Sequence, residues 1–276
     1  MKFTKILSIV LAIMMLFTFV SCGSGSTDAK DTDTETAVDT SADTAADTEG
    51  DNEATDTIVM ATNAAFPPYE FYEGENIVGI DVEIAAAIAA KLGKTLVIED
   101  MEFSSIITAV QSGSVDFGMA GMTITEDRLL EVDFSSSYAN GVQVVIVKEG
   151  SAITTVDDLF AEGATYKVGV QLGTTGDSYA SGDFGTDRVT QYATGNEAVL
   201  ALAGGDVDCV IIDNEPAKAY VAANEGLTIL ESTYADEDYA ICVQKGNSEL
   251  LAQIDAAILE LTADGTIDGI VAKYIK

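Results

Sequence analysis

Histidine is absent from this chain of 276 residues, and its absence excludes several kinds of catalytic site. A Ser-His-Asp or Cys-His arrangement for nucleophilic catalysis cannot be built without it. The three cysteines include no pair at the spacing of metal ligands, so no zinc site is expected. The turn Gly173-Thr174-Thr175 lacks the Gly-Lys-Ser/Thr step of a phosphate-binding loop. The sequence therefore predicts no catalytic residue, no metal and no cofactor.

Basic residues are scarce as well, because 13 lysines and arginines stand against 46 aspartates and glutamates. The resulting net charge of −33 repels the phosphate backbone of DNA and RNA, so nucleic acid is not an expected partner. In other respects the composition, with 47% hydrophobic and 21% charged residues, is that of an ordinary globular protein. A chain of this length can bury enough core to fold without disulfides.

The chain has one long apolar run, Ile6 to Val20, which follows two lysines near the N-terminus. A positive start followed by an apolar stretch of this length is typical of a secretory signal. The next residues, up to Cys22, resemble the end of a bacterial lipoprotein signal, although Phe19 stands where that pattern usually has leucine. We therefore predict a signal peptide over residues 1–22, with Cys22 as the lipidated N-terminus.

Residues 23–57 consist of Asp, Thr, Ala, Ser and Glu with almost no large apolar side chain. Such a segment cannot bury enough surface to order itself, and its like charges extend it. Its Asp-Thr steps lack the glycine and the closing glutamate of a calcium loop. We predict a disordered acidic tether, and no later apolar run is long enough to span a membrane.

From residue 58 onward, short apolar strands alternate with helical patterns. A strand at Thr57–Ala61 leads into a proline-stiffened loop, and Asp81 is the expected N-cap of the next helix. A second series of strands and helices follows the apolar run Gly141 to Lys148, and one of its strands ends at the acid Asp213. This alternation is typical of an α/β fold whose sheets are covered by helices.

The stretch Gly118 to Arg128 contains the parts of a site for a small carboxylate. Thr125 is the expected N-cap of a helix, and Arg128 lies one turn into that helix. Arginine offers a planar, permanently charged fork that matches a carboxylate, and a helix N-terminus adds partial positive charge. The alternative is a surface arginine paired with Glu126 or Glu131.

Cys209 and Cys242 both lie in predicted strands, where a free cysteine behaves as a small apolar residue. A disulfide between them is the alternative outside the cytoplasm, and their spacing does not decide between the two states.

Six motifs between Ile58 and the C-terminus carry a resemblance to a known family. They are Ala61-Thr62-Asn63 to Phe71, Val78-Gly79-Ile80-Asp81-Val82, Ala120 to Arg128, Val168-Gly169-Val170 to Thr175, Asp213, and Ala263-Asp264-Gly265-Thr266. In this order they resemble the extracellular solute-binding proteins of polar amino-acid ABC importers. The resemblance implies a type II periplasmic-binding-protein fold, with two α/β lobes joined by two hinge strands. It assigns residues 58–147 and 239–276 to lobe 1 and residues 148–238 to lobe 2.

The resemblance also implies a ligand site in the cleft between the lobes. Arg128 would bind the carboxylate of an amino acid with Thr123 and the Gly121 N–H, and Thr175 would close over it. Asp213 would accept the ammonium, whereas without the family it would be interpreted as a cap of the following turn. The predicted ligand-binding residues are Asn63, Phe66, Phe103, Ala120, Gly121, Thr123, Arg128, Gln171, Thr175 and Asp213.

The ligand and partners follow from the same resemblance. Several family members that bind cationic amino acids carry an acid at the position of Asn63, some glutamine binders carry Asp there, and glutamine binders carry a lysine at that of Gln171. Both residues are neutral here, which argues against both patterns, and we favour a neutral polar L-amino acid such as glutamine. The implied partners are an ABC permease and its ATPase. The protein would be a monomer, anchored through Cys22 to the outer face of the bacterial cell membrane.

Two other functions stay open on the same fold. Cyclohexadienyl (arogenate or prephenate) dehydratases are similar to these binding proteins and use a carboxylic acid that faces the ligand. Glu215 is the nearest candidate for that acid. The liganded form could instead be presented to a membrane receptor, which would make the protein a sensor.

Overall fold

The computed structural model describes residues 56–275. The predicted signal peptide, the lipid anchor on Cys22 and nearly all of the acidic tether lie outside the described residues. Within residues 56–275, no helix combines the length and the apolarity that crossing a membrane requires.

The described chain forms strands and helices in alternation. The strands are β1 (Thr57–Thr62), β2 (Ala65–Phe66), β3 (Glu70–Glu73), β4 (Asn76–Val78), β5 (Thr95–Asp100), β6 (Phe117–Gly118), β7 (Val132–Phe134), β8 (Ala139–Lys148), β9 (Val168–Gln171), β10 (Val189–Tyr192), β11 (Cys209–Asp213), β12 (Leu227–Ile229), β13 (Ala235–Tyr239) and β14 (Cys242–Gln244). The helices are α1 (Ile80–Lys91), α2 (Phe103–Ser112), α3 (Glu126–Glu131), α4 (Thr175–Phe184), α5 (Gly195–Gly204), α6 (Asn214–Ala223), α7 (Ser248–Ala263) and α8 (Thr266–Tyr274). A 3-10 helix spans Val156–Phe160.

A five-stranded sheet in the order β5-β1-β6-β14-β7 is the centre of the first lobe. β1 pairs in parallel with β5 and β6, whereas β14 pairs antiparallel with β6 and β7. Side chains alternate across β1: Met60 belongs to the same core cluster as Ile84 of α1 and Ile254 of α7, and Ala61 belongs to a second cluster with Ile106 of α2. The C-terminal helices therefore belong to the same lobe as the first strand.

A second sheet, in the order β10-β9-β11-β8-β12, is the centre of the second lobe, and β13 also pairs with β8. β9, β10 and β11 are parallel to one another. Every residue of β9 and of β11 is buried, because helices cover both faces of the sheet. Ala198 of α5 and Ala217 of α6 lie on one side and Ala180 of α4 lies on the other.

The chain crosses between the lobes twice. It enters the second sheet in β8 and returns where β13 gives way to β14, with only Ala240 and Ile241 between these strands. All ten residues of β8 belong to the second sheet. The division at residues 147/148 and 238/239 stays a prediction.

Three local predictions can be compared with these elements. The proline-stiffened loop contains a small antiparallel sheet, β2-β3-β4. The prediction that Asp81 caps α1 is wrong, because the N-cap is Gly79 and the Asp81 carboxylate accepts from the Gly121 N–H in the core. Cys209 and Cys242 are free and lie in different sheets, so the disulfide alternative is also wrong.

Tyr239 packs against the backbone of β8 at Gly141, where the chain enters the second lobe. A Cβ atom added at Gly141 would lie 2.4 Å from the Cε1, the Cζ and the hydroxyl oxygen of Tyr239. Since Tyr239 is fully buried, its ring has no free space into which to move.

We expect Gly141→Ala to lower the free energy of unfolding by about 1–3 kcal/mol, as overpacking does in other cores. Gly182→Ala is the matched control, because Gly182 lies within α4 and a Cβ there meets no atom within 4 Å. That control should be neutral or stabilising, since alanine is favoured over glycine in helices. Denaturant titration measures both, and equal stability of the two variants would contradict the prediction.

Candidate functional site

A small cavity lies between the two lobes. It is lined by twelve residues, and all ten of the predicted ligand-binding residues are among them. The other two are Glu70 and Thr174. The lining residues are Asn63, Phe66, Glu70, Phe103, Ala120, Gly121, Thr123, Arg128, Gln171, Thr174, Thr175 and Asp213.

The ends of parallel strands bring these residues together. In the first lobe Asn63 follows β1, and Ala120 lies two residues beyond β6. In the second lobe Gln171 ends β9 and Asp213 ends β11. The carboxyl ends of parallel strands in both lobes thus face one cleft, which is the usual position of a ligand site in α/β sheets.

Arg128 is held in the cavity by contacts to both lobes. Its helix begins at the predicted N-cap Thr125, whose hydroxyl accepts from the Arg128 N–H at 3.2 Å. Arg128 Nη1 donates to the Thr123 carbonyl at 2.8 Å, and Nη2 donates to the Gly173 carbonyl of the second lobe at 3.0 Å. The guanidinium carbon lies 5.4 Å from the centre of the Phe103 ring. These contacts fix the plane of the guanidinium and leave three of its five N–H donors for a ligand.

The alternative of a surface ion pair at Arg128 finds no support. Among the described residues, the ion pairs involve lysines only, and neither Glu126 nor Glu131 takes part in one. Burial lowers the pKa of Arg128 from its ordinary value, and its guanidinium nevertheless stays charged at neutral pH. The cavity therefore contains a cation without a carboxylate partner.

Gly121 contributes space to the cavity rather than a hydrogen-bond donor. Its backbone has a φ of 53°, and an added Cβ would lie 2.8 Å from the Phe66 ring. Its N–H donates to Asp81 at 2.8 Å. That N–H is therefore already used, and the prediction that it helps to bind a carboxylate is wrong for this conformation.

Two buried acids, Glu70 and Asp81, lie side by side beneath the cavity. Burial raises the pKa of Asp81 to about 6, although the hydrogen bonds from the Gly121 N–H and the Tyr138 hydroxyl act to lower it. Burial and the Asp81 charge hold the pKa of Glu70 well above its ordinary range. Glu70 therefore holds its proton more tightly than an ordinary glutamate does, and neither of its buried carboxyl oxygens has a hydrogen-bond partner in the described part of the chain.

Asp213 faces the cavity from the second lobe. It occupies the N-cap position of α6, yet its side chain makes no capping hydrogen bond, so the interpretation as a simple cap is wrong. Gln143 Nε2 donates to Asp213 Oδ2 at 2.8 Å, and the Tyr239 hydroxyl donates to Oδ1. Burial, followed by the charge of Glu237, raises the pKa of Asp213 to about 7.

Glu237 is a buried acid that the sequence did not single out. It accepts from the Thr123 hydroxyl at 3.0 Å and from Gln143 Nε2 at 3.0 Å. The Thr123 hydroxyl proton is therefore already used, and the prediction that Thr123 helps Arg128 to bind a carboxylate is wrong for this conformation. Gln143 Nε2 therefore donates to Glu237 and to Asp213 together, and it also lies 3.4 Å from the Thr175 hydroxyl. One amide group thus joins two carboxylates at this end of the cavity.

The other end of the cavity is neutral and partly aromatic. Gln171 Nε2 donates to Asn63 Oδ1 at 2.9 Å across the cleft, and Asn63 Nδ2 donates to the Met101 carbonyl at 2.9 Å. Phe66 and Phe103 supply apolar walls. This end suits the polar, uncharged end of a ligand side chain.

Thr174 and Glu70 line the cavity but were not among the predicted ligand-binding residues, for two different reasons. The Thr174 hydroxyl caps α4 by accepting from the Asp177 N–H at 3.2 Å, and the spacing Thr174-x-x-Asp177 is a signal for that cap. Glu70 has no comparable signal, because its orientation depends on the pairing of β2 with β3.

The dehydratase alternative requires a carboxylic acid that faces the ligand. Glu215, the candidate acid for a dehydratase, is not among the cavity residues and forms an ion pair with Lys218 at 2.6 Å. Within residues 56–275 no group of three or more acids or cysteines is placed to hold a metal ion.

Comparison with known proteins gives a consistent assignment. Residues 58–276 match the sequence profile of the bacterial extracellular solute-binding proteins, family 3. The arginine-binding extracellular protein ArtP of Bacillus subtilis is 32% identical over 222 residues, which cover 79% of this chain and 85% of that protein. An ancestral arginine-binding protein solved with glutamine is 41% identical and has a TM-score of 0.74, covering 79% of this chain and 97% of its own. A structure of an ancestral arginine-binding protein solved with arginine is also 41% identical and has a TM-score of 0.74, covering 80% of this chain and 98% of its own. The two lobes have the type II periplasmic-binding-protein fold.

Proposed function

The chain belongs to the bacterial extracellular solute-binding proteins of family 3, and from this membership we propose that it captures a polar L-amino acid for an ABC importer. The two lobes would close over the amino acid outside the cytoplasm. The closed form would then be recognised by a permease, which works with its ATPase. A ligand held by both lobes stabilises only this closed form, and closure can therefore act as the signal.

The observation that carries the proposal is the placement of Arg128 and Asp213 on opposite sides of one cavity. An amino-acid zwitterion needs a cation for its carboxylate and an anion for its ammonium. Arg128 of the first lobe supplies three free N–H donors, and Asp213 of the second lobe supplies a buried carboxylate. A ligand that satisfies both residues must bridge the two lobes.

The side chain of the ligand would lie between Phe66 and Phe103 and reach the amides of Asn63 and Gln171. An amide pair can both donate to and accept from a neutral polar group, so we retain glutamine as the favoured ligand. Ancestral arginine-binding proteins of similar fold were solved with glutamine and with arginine, which makes arginine the main competitor.

We further propose that Cys22 carries the lipid anchor and that residues 23–57 connect it to the folded part. As a plain coil, about 35 residues would reach on the order of 30 Å, which leaves the folded part free to meet a permease. The protein would act as a monomer on the outer face of the bacterial cell membrane.

The direct test is a screen of the purified protein against the twenty L-amino acids, ornithine and cystine by thermal shift and calorimetry. A ligand at a hundred times its dissociation constant stabilises the fold by about 2.7 kcal/mol, which is several degrees for a chain of this size. We expect one or a few polar L-amino acids to raise the melting temperature, and their D-enantiomers to serve as inactive controls. A melting temperature unchanged by all L-amino acids would contradict the proposal.

The dehydratase alternative keeps one observation in its favour, because Glu70 lines the cavity and burial raises the pKa of its carboxyl group. Turnover of prephenate or arogenate by a protein that binds no amino acid would establish it, and Glu70→Gln should then abolish turnover. The sensor alternative shares the ligand site, so a permease or a kinase among the neighbouring genes would discriminate import from sensing.

A further inference from the structure

Glu237 lies behind the cavity wall, on β13, with 6% of its surface exposed. It accepts from Thr123 and Gln143 through Oε2, and its Oε1 is buried with no hydrogen-bond partner in the described structure. Within residues 56–275 no lysine or arginine lies at ion-pair distance from Glu237, and Arg128 is the more distant cation on whose pKa the Glu237 charge acts. A buried carboxylate in this state is unfavourable unless a positive charge comes close to it.

The hydrogen bonds of Glu237 determine what its neighbours can offer to a ligand. The Thr123 hydroxyl donates its proton to Glu237, so the Thr123 oxygen keeps only lone pairs for the cavity. A lone pair suits an ammonium and does not suit a carboxylate. Gln143 likewise directs its amide N–H groups at Glu237 and Asp213 rather than at a ligand.

The charges at this end of the cavity are unbalanced. Arg128 is the cation, and Asp213 and Glu237 are two anions joined by one amide. A carboxylate ligand without an ammonium would neutralise Arg128 and leave the two acids facing a third negative charge. A zwitterion brings its positive charge to the acids while its carboxylate reaches Arg128.

We propose that Glu237 is a positioning residue that makes the cavity selective for ligands with an ammonium beside their carboxylate, acting through Thr123, Gln143 and Asp213. The inference rests on the proposed amino-acid function and names the group that enforces it.

The test compares an amino acid with the same molecule lacking its amino group. L-glutamine is paired with 4-carbamoylbutanoate, and L-arginine is paired with 5-guanidinopentanoate, in calorimetric titrations of the unaltered protein and of Glu237→Gln. The glutamine side chain can still accept from Thr123 and Gln143, so the substitution removes mainly the charge. We expect the preference for the amino acid over its des-amino partner to fall about tenfold or more, the range of one charge-assisted hydrogen bond.

Two controls separate charge from structure. Asp236→Asn removes a charge from the exposed neighbouring position of β13 and should leave the preference unchanged. Glu237→Asp keeps the charge and should retain the preference, and Glu237→Met is a second neutral replacement should the glutamine variant fail to fold.

The pH profile supplies a readout that a purely structural role would not change. The charge of Glu237 contributes to the raised pKa of Asp213, so its removal should shift the loss of affinity to lower pH. Equal weakening of all four ligands with an unchanged pH midpoint would overturn the inference and leave the proposed function intact. Failure of the unaltered protein to bind every amino acid in the screen would overturn both.

Discussion

Replacing Arg128 by alanine should weaken the binding of an L-amino acid by about 30-fold to several thousand-fold. Removing one partner of a buried, hydrogen-bonded charge pair costs about 2–5 kcal/mol, and each 1.4 kcal/mol is about tenfold in affinity. Arg128 also bridges the lobes through the Gly173 carbonyl, so its loss should further disfavour the closed form. Calorimetric titration with the best amino acid from the screen measures the effect.

The chain contains one other arginine, which provides a matched control. Arg188 donates to the Tyr166 and Leu159 carbonyls and lies over the Phe184 ring, all in the second lobe. Arg188→Ala should lower the melting temperature but leave the affinity for the amino acid unchanged. Arg128→Lys should lie between the unaltered protein and Arg128→Ala, because lysine keeps the charge without the planar fork. An unaltered affinity in Arg128→Ala would exclude this residue from the site.

Asp213→Asn should weaken binding by about 100-fold and remove the pH dependence of the affinity near neutrality. Asparagine can keep the hydrogen bond from Gln143 or Tyr239, but it lacks the charge that an ammonium requires. A loss of about 2.7 kcal/mol lies within the range for truncating a buried charge pair.

The sign of the pH effect follows from the groups around Asp213. Burial and the negative charge of Glu237 raise its pKa to about 7, while Tyr239 and Gln143 donate to the ionised form. Arg128 faces it across the cleft, and Tyr69 lies close to it. Because the ionised form binds the ammonium, affinity should fall by about tenfold per pH unit below 7 and level off above it.

The free energy of unfolding of the ligand-free protein should fall as pH rises, whereas the affinity for the ligand should increase. The folded pKa of Asp213 lies above the unfolded value of about 3.9, so the folded state binds more protons between these values. Stability without ligand should therefore decrease as pH rises from about 4 to 7, and the raised pKa values of Asp81 and Glu70 act in the same direction.

Glu215→Gln removes a charge two residues from Asp213, outside the cavity, and should leave the affinity profile unchanged. An Asp213→Asn variant with the original profile would contradict the assignment.

Much of this site could be predicted because its residues lie in local patterns. Thr125 and Arg128 are positioned by a helix cap that local spacing predicts. Gln171 and Asp213 lie at the ends of buried strands, and the family resemblance rather than spacing assigned them to the site. The two-lobed arrangement was predicted from the order of all the family motifs along the chain, because no single motif indicates it.

The site features that the sequence did not predict depend on contacts between residues far apart in the chain. Glu237 reaches Thr123 and Gln143 behind the cavity wall only because β13 pairs with β8 in one register, and a shift by one residue would turn Asp236 or Asp238 inward instead. The predicted role of the Gly121 N–H failed for a similar reason. Its acceptor, Asp81, lies 40 residues earlier in the chain and was expected at a helix end.

The position of β14 between β6 and β7 has a consequence for the order of folding. The second sheet is built from the continuous segment between Ala139 and Tyr239, whereas the first sheet is incomplete until a strand from beyond that segment is inserted. Closing a loop of about one hundred disordered residues carries an entropic cost, and a folded second lobe shortens that loop to the distance between its two ends. The second lobe should therefore become protected from hydrogen exchange first during refolding, with β6 and β7 protected only together with β14.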